Sequence, residues 1–135
     1  MPHPTKVLII DDDPVITAIY EKQFRATKYD VKVAHDPIAG LVALQSYLPD
    51  VILLDLNLPF RSGIEWLTSV RKIEQFRNIP VVVITAEAPN SPLVRSASQS
   101  LVTGVLFKDE WDPGAVVAAI GWASRRRTAE GARAY

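Results

Sequence analysis

The sequence predicts an α/β protein built on a parallel sheet. Short apolar runs alternate five times with helix-forming segments. Runs this short, without alternating polar residues, are typical of strands buried on both faces, as in a parallel sheet. The predicted strands cover residues 6–10, 31–34, 51–54, 80–85 and 104–107. The predicted helices cover residues 14–26, 37–47, 63–76, 92–101 and 113–126.

The helix starts carry strong local signals. A capping residue directly precedes a proline at the first helical position in Asp13-Pro14, Asp36-Pro37, Ser91-Pro92 and Asp112-Pro113. Ser62 and Glu65 form a capping box for the third helix. Helical spacing predicts that one face of the first helix is buried through Ile16, Ile19, Tyr20 and Phe24. The serine-rich stretch 96–100 predicts a fourth helix that is either short or mobile.

Length and composition favour one domain without a membrane or nucleic-acid surface. The chain has 135 residues, 48% of them hydrophobic, with fifteen basic and fifteen acidic residues and no cysteine. The N-terminus lacks the apolar region of a signal peptide, and a cytoplasmic location is expected. We expect an N-terminal extension at residues 1–5, a domain at 6–126 and a flexible tail at 127–135.

Residues with chemical potential stand where the predicted strands end. Asp11 and Asp12 follow the first strand, Asp55 follows the third, Thr85 ends the fourth and Lys108 follows the fifth. Ligand sites of open parallel sheets lie at the carboxyl ends of the strands. Clustered carboxylates repel one another unless a cation joins them, and their oxygens suit Mg²⁺. A cation and a lysine together can neutralise a phosphoryl group, and a carboxylate can accept it.

Four segments resemble the response-regulator receiver domains (CheY-like): VLIIDDDP, VILLDLNLPFRSG, VVVITAEA and GVLFK. They fall in the order of that family, and the resemblance covers residues 6 to about 124. It implies a flavodoxin-like (βα)5 fold with strand order 2-1-3-4-5 and helices on both faces of the sheet. The chain is expected to be of the stand-alone, single-domain type.

The resemblance also implies a phosphorylation switch rather than an enzyme. Asp55 would accept a phosphoryl group from a sensor histidine kinase or phosphotransfer protein, assisted by Thr85 and Lys108. Mg²⁺ would be held by Asp11, Asp12, Asp55 and the backbone carbonyl of Asn57. Signalling would then pass to a downstream protein target, with a homodimer possible and no direct contact with nucleic acid.

Two residues depart from the family pattern. Asp109 follows Lys108 where many members have a proline after a cis bond; a non-proline cis bond costs about 3–4 kcal/mol, so a trans bond and a rearranged loop are expected. Val105 replaces the aromatic residue whose rotation reports phosphorylation, on the face formed by helix 4, strand 5 and helix 5. Trp111 or Trp122 could substitute as a contact residue.

Two other functions fit parts of the sequence. A haloacid-dehalogenase-like phosphatase would explain the pattern of Asp11, Asp13 and Val15, but leaves the segment 51–59 without a role. A receiver-fold binding module that works without phosphorylation is suggested by the departures at Val105 and Asp109.

Overall fold

Parallel strands form the centre of the molecule. The structure, a computed structural model, describes residues 3–59, 62–99, 102–108, 112–126 and 133–134. The strands are β1 (Lys6–Ile10), β2 (Asp30–Ala34), β3 (Val51–Asp55), β4 (Val81–Thr85) and β5 (Gly104–Phe107). Their order is 2-1-3-4-5, as the resemblance implied, and a two-residue strand β6 (Arg133–Ala134) pairs in parallel with β5 outside them.

Helices cover both faces of this sheet, as expected. They are α1 (Pro14–Ala26), α2 (Pro37–Tyr47), α3 (Gly63–Arg71), α4 (Pro92–Gln99) and α5 (Pro113–Ala123). One hydrophobic cluster joins the sheet to α2, α3 and α4. The other joins it to α1 and α5. The apolar strands are therefore buried on both sides, which is why their sequences show no polar alternation.

The predicted helix starts are confirmed by the capping bonds. The carboxylates of Asp13, Asp36 and Asp112 accept from backbone N–H groups of the first turn, and the hydroxyl oxygens of Ser62 and Ser91 do the same. Each cap satisfies N–H groups that have no partner inside the helix. The sequence thus fixes where each connection from strand to helix ends.

Several predicted helix features differ from the structure. The third helix ends at Arg71, and a 3₁₀ turn (Glu74–Phe76) follows instead of continuous helix to residue 76. The last helix ends at Ala123 rather than 126. The prediction that Ile19 is buried is wrong: it is 39% exposed, because Tyr20 and Phe24 define the inward face.

Residues 127–135 were expected to be flexible. The structure describes only Arg133 and Ala134 of that segment, which form β6, so the flexible tail and the domain boundaries remain predictions. Among the described residues, no helix combines the length and apolar character needed to cross a membrane.

Candidate functional site

Three carboxylates meet at the carboxyl edge of the sheet. Asp55 is the last residue of β3, and Asp11 directly follows β1, its neighbour in the sheet. Oxygen atoms of Asp11, Asp12 and Asp55 lie within 4.8 Å of one another. Asp11 and Asp55 are buried, whereas Asp12 is exposed. The strands thus bury two of the carboxylates and leave the third exposed to solvent.

Lys108 completes the electrostatics of this cluster. It follows β5, and its Nζ atom lies 3.1 Å from Oδ2 of Asp55 and 3.7 Å from Oδ2 of Asp11. Burial alone would lower the pKa of Lys108, but Asp55 and Asp11 outweigh burial and raise the pKa above its ordinary value. Lys108 is therefore a permanent cation that compensates part of the negative charge.

Asp11 is left with an incompletely compensated charge. Its Oδ1 atom accepts from the backbone N–H of Asp13 at 3.0 Å, but its buried Oδ2 atom has no hydrogen-bond donor in the described part of the chain. Burial, reinforced by repulsion from Asp55, raises the pKa of Asp11 to about 6 despite that hydrogen bond. A bound divalent cation would compensate the buried negative charge of Asp11, and the carboxylate oxygens of this cluster are ligands that fit Mg²⁺.

Thr85 and Asn57 lie beside the carboxylates. Thr85 is the buried last residue of β4, and its hydroxyl donates to Oδ1 of Asn57 at 3.4 Å while accepting from the backbone N–H of Glu87 at 3.0 Å. The backbone N–H of Asn57 donates to Oδ1 of Asp55 at 2.9 Å. A hydrogen-bonded chain thus links the ends of β3 and β4.

Sequence reasoning missed two contributors to this site. One is His35, whose Nδ1 atom lies 3.1 Å from the backbone oxygen of Asp11. A carbonyl oxygen only accepts, so Nδ1 carries the proton. The other is Gly63, which lies against the end of β3. A Cβ there would lie 2.5 Å from the backbone oxygen of Asp55. The position of His35 directly after a strand was the available signal.

Asp13 is separate from the three-carboxylate cluster. Its Oδ1 atom accepts from the backbone N–H groups of Val15 and Ile16 at 2.9 and 3.3 Å, so it caps α1. The dehalogenase-like pattern would need Asp13 beside Asp11 in the reaction. The cluster instead recruits Asp12 and Asp55, which that pattern does not explain.

The two departures from the family pattern have different outcomes. Val105 is a buried residue of β5. Its side chain has no aromatic ring that could turn toward the surface. Trp122 lies on α5, where the guanidinium of Arg126 stacks on its ring at 3.6 Å. Asp109 and Trp111 lie outside the described residues, and the expected trans bond after Lys108 remains a prediction.

The fold and the site together define an open α/β protein with a cluster of acidic residues and a lysine at the ends of its strands. Residues 7–121 match the family model of the response regulator receiver domain. The chain belongs to that family, whose members are signalling switches of two-component systems.

Curated relatives agree with this assignment. The chain is 31% identical over 104 residues to the chemotaxis protein CheY-3 of Vibrio cholerae, covering 76% of this chain and 79% of the relative. It is 38% identical over 81 residues to the DNA-binding dual master transcriptional regulator RpaA of Synechocystis, covering 60% of this chain and 34% of RpaA. The chain thus spans about a third of the length of RpaA and of several other regulators that it matches.

Solved structures show the same fold. The chemotaxis response regulator CheY4 of Vibrio cholerae has a TM-score of 0.81 and 26% identity, covering 89% of this chain and 98% of CheY4. The Mn²⁺-bound form of the response regulator Rcp1 has a TM-score of 0.74 and 25% identity, covering 89% of this chain and 95% of Rcp1.

Proposed function

We propose that this chain is the phosphoacceptor of a two-component signalling pathway and that Asp55 receives the phosphoryl group in a reaction that requires Mg²⁺. The observation that carries the proposal is the position of the Asp55 carboxylate. Its Oδ2 atom lies 3.1 Å from Nζ of Lys108, within the cluster that includes Asp11 and Asp12. A nucleophile, a fixed cation and a set of metal ligands are thus brought together from three strand ends.

The acceptor must be ionised and oriented when the donor arrives. The N–H of Asn57 fixes one oxygen of Asp55, and Lys108 holds the other. An oxygen of Asp55 attacks the phosphorus of a phosphohistidine, forming a P–O bond as the donor's P–N bond breaks. The departing imidazole keeps the electron pair and takes up a proton. The donor is accordingly a histidine kinase or a phosphotransfer protein.

The residues around Asp55 would together neutralise the negative charge of the transferred phosphoryl group. Asp11, Asp12, Asp55 and the carbonyl of Asn57 would hold Mg²⁺, which supplies positive charge to the phosphoryl oxygens when bound. The presence of Mn²⁺ in the related Rcp1 supports a divalent-cation site in this fold. Lys108 neutralises a further oxygen, and the hydroxyl of Thr85 can turn from Asn57 to donate to it.

The transferred group would change the surface through Thr85 and Lys108. Phosphorylation replaces the ion pair between Lys108 and Asp55. It also draws the Thr85 hydroxyl away from Oδ1 of Asn57, to which it donates at 3.4 Å in the unphosphorylated protein. Thr85 ends β4 and pairs with Phe107 of β5, so both changes act on one pair of strands. The switch is a shift in population between two arrangements of the loops after β4 and β5, which a downstream protein recognises.

The proposal is tested with a small phosphoryl donor, such as acetyl phosphate, and intact-protein mass spectrometry. We expect a gain of one phosphoryl group with Mg²⁺ and none with a chelator. Asp55→Asn should abolish the gain. Glu74→Gln, which removes an exposed carboxylate outside the site, should retain it. A gain that survives Asp55→Asn, or no gain with Mg²⁺ present, would exclude Asp55 as the acceptor.

A further inference from the structure

Most of the exposed large hydrophobic residues that the structure describes lie on the side of the sheet that α2 and α3 cover. Seven large hydrophobic residues of the described chain are exposed, and five belong to this side: Ile38, Leu41, Val42, Leu48 and Ile73. Ile38 is 78% exposed and Val42 is 58% exposed. Ile38, Leu41 and Val42 are spaced as neighbours on one helical face. A contiguous apolar patch on a protein surface typically marks an interaction site.

A groove lies beside this patch. It encloses about 700 Å³ and is lined mainly by the apolar residues Pro37, Ile38, Leu41, Trp66, Val70 and Ile73. Trp66 forms its floor and is rigid, because it is buried and its Nε1–H donates to the backbone oxygen of Pro37 at 3.0 Å. The surface therefore combines a ridge, formed by Ile38 and Val42, with a recess that can receive a similar ridge.

We propose that this surface binds a second copy of the same chain, with α2 packing antiparallel against α2 of the partner. In a twofold interface each residue near the axis meets its own copy, so charged residues there repel one another. The eleven residues of α2, Pro37–Tyr47, include no acidic or basic residue. An exposed helix without charge is unusual on a solvated surface, and it satisfies this requirement.

The ends of the groove carry opposite charges. Asp36 lies at the N-terminal end of α2, and exposed Lys72 caps the C-terminal end of α3 next to Ile73. Both helices lie on the same face and follow parallel strands, so Asp36 and Lys72 are at opposite ends of the helix pair. An antiparallel arrangement brings Asp36 of each copy toward Lys72 of the other. A parallel arrangement would bring like charges together.

Self-association through α4 and α5 lacks comparable support in this chain. The outward residues of α4 are polar, namely Arg95, Ser96 and Ser98. Neither α4 nor α5 contributes a large exposed hydrophobic residue among those that the structure describes. Among the described residues, the side formed by α2 and α3 therefore offers the larger number of exposed hydrophobic side chains.

Sedimentation equilibrium of the full chain, without phosphoryl donor or Mg²⁺, tests this proposal independently of the phosphorylation chemistry. Wild type should show a monomer–dimer equilibrium between about 1 μM and about 1 mM protein. Ile38→Glu should raise the dissociation constant at least tenfold, and Lys72→Glu should raise it severalfold. Val15→Glu is the matched control, because Val15 is 67% exposed on α1, and it should leave the equilibrium unchanged.

Circular dichroism of each variant verifies that the fold is retained, which the exposure of Ile38 and Lys72 leads us to expect. A wild-type chain that stays monomeric throughout this range would overturn the proposal. A dimer that is unaffected by Ile38→Glu, or that is lost equally in Val15→Glu, would also overturn it.

Discussion

Replacing Asp11 by asparagine should stabilise the metal-free protein at neutral pH. The carboxylate of Asp11 is 1% exposed, and its Oδ2 atom lacks a hydrogen-bond donor in the described part of the chain. An asparagine of nearly the same shape can still accept from the N–H of Asp13 through its amide oxygen. The substitution therefore removes a buried charge with little change in packing.

The magnitude follows from the pKa of Asp11. Burial raises it from 3.8 to about 6, and each pKa unit corresponds to about 1.4 kcal/mol. Ionised Asp11 thus costs about 3 kcal/mol of unfolding free energy at pH 7. That pKa already includes the attraction to Lys108 at 3.7 Å, so replacing the ionised carboxylate with a neutral amide should gain about 3 kcal/mol. The corresponding rise in Tm is roughly 10 °C.

The raised pKa of Asp11 also determines how the unfolding free energy changes with pH. Below pH 3.8, Asp11 is protonated in both the folded and unfolded states and imposes no cost. Between pH 3.8 and about 6, the unfolded chain ionises while the folded chain keeps the proton, so the unfolding free energy falls as pH rises. The stability difference between Asp11→Asn and wild type should therefore be largest at pH 7 and disappear near pH 4.

Urea denaturation in chelator at pH 4, 5, 6 and 7 measures this difference. Glu74→Gln removes an exposed carboxylate and should follow wild type at every pH. Added Mg²⁺ should stabilise wild type more than Asp11→Asn, because one ligand is missing from the variant. If Asp11→Asn were no more stable than wild type at pH 7, or if its advantage were the same at every pH, the account of a buried, incompletely compensated carboxylate would be wrong.

Three further substitutions test other parts of the structure. Gly63→Ala should lower the unfolding free energy measured by urea denaturation by about 2–3 kcal/mol. The new Cβ would lie 2.5 Å from the backbone oxygen of Asp55, and only backbone shifts could relieve that contact. An unchanged denaturation midpoint would contradict the close approach. Leu48→Gly should raise the thermal midpoint through a gain of about 0.5–1 kcal/mol, since Leu48 ends α2 with a left-handed φ of 54° and is half exposed. Lys108→Met should slow phosphorylation by acetyl phosphate about 100-fold in a mass-spectrometric time course, because it removes the cation 3.1 Å from Asp55; a wild-type rate would exclude that role.

Local signals in the sequence predicted most of the fold. The uninterrupted apolar runs identified five strands, because strands buried on both faces need apolar side chains in both directions. Asp-Pro pairs predicted the starts of α1, α2 and α5 without error, because a cap and a fixed φ act within one turn. Strand ends also predicted which residues would face one another, since all parallel strands end at the same edge.

Periodicity could not predict which helical residues stay exposed on α2. Its apolar residues surround the helix, so the sequence shows no preferred face, and Ile38 and Val42 look as suitable for the core as Ala43 and Leu44. The same limitation led to the wrong expectation for Ile19, where an apolar residue stands beside the buried face rather than on it.

The sequence alone determined the strands, the helix starts and the set of residues brought to one edge, because these depend on neighbouring residues and on the direction of a parallel sheet. Only the tertiary structure decided the 3.1 Å contact between Lys108 and Asp55, which are 53 positions apart, and the contact of His35 with the backbone of Asp11. It also decided the raised pKa of Asp11, because that value depends on burial and on charges supplied by other strands. Long-range packing sets distances and solvent exposure, and no local pattern encodes either one.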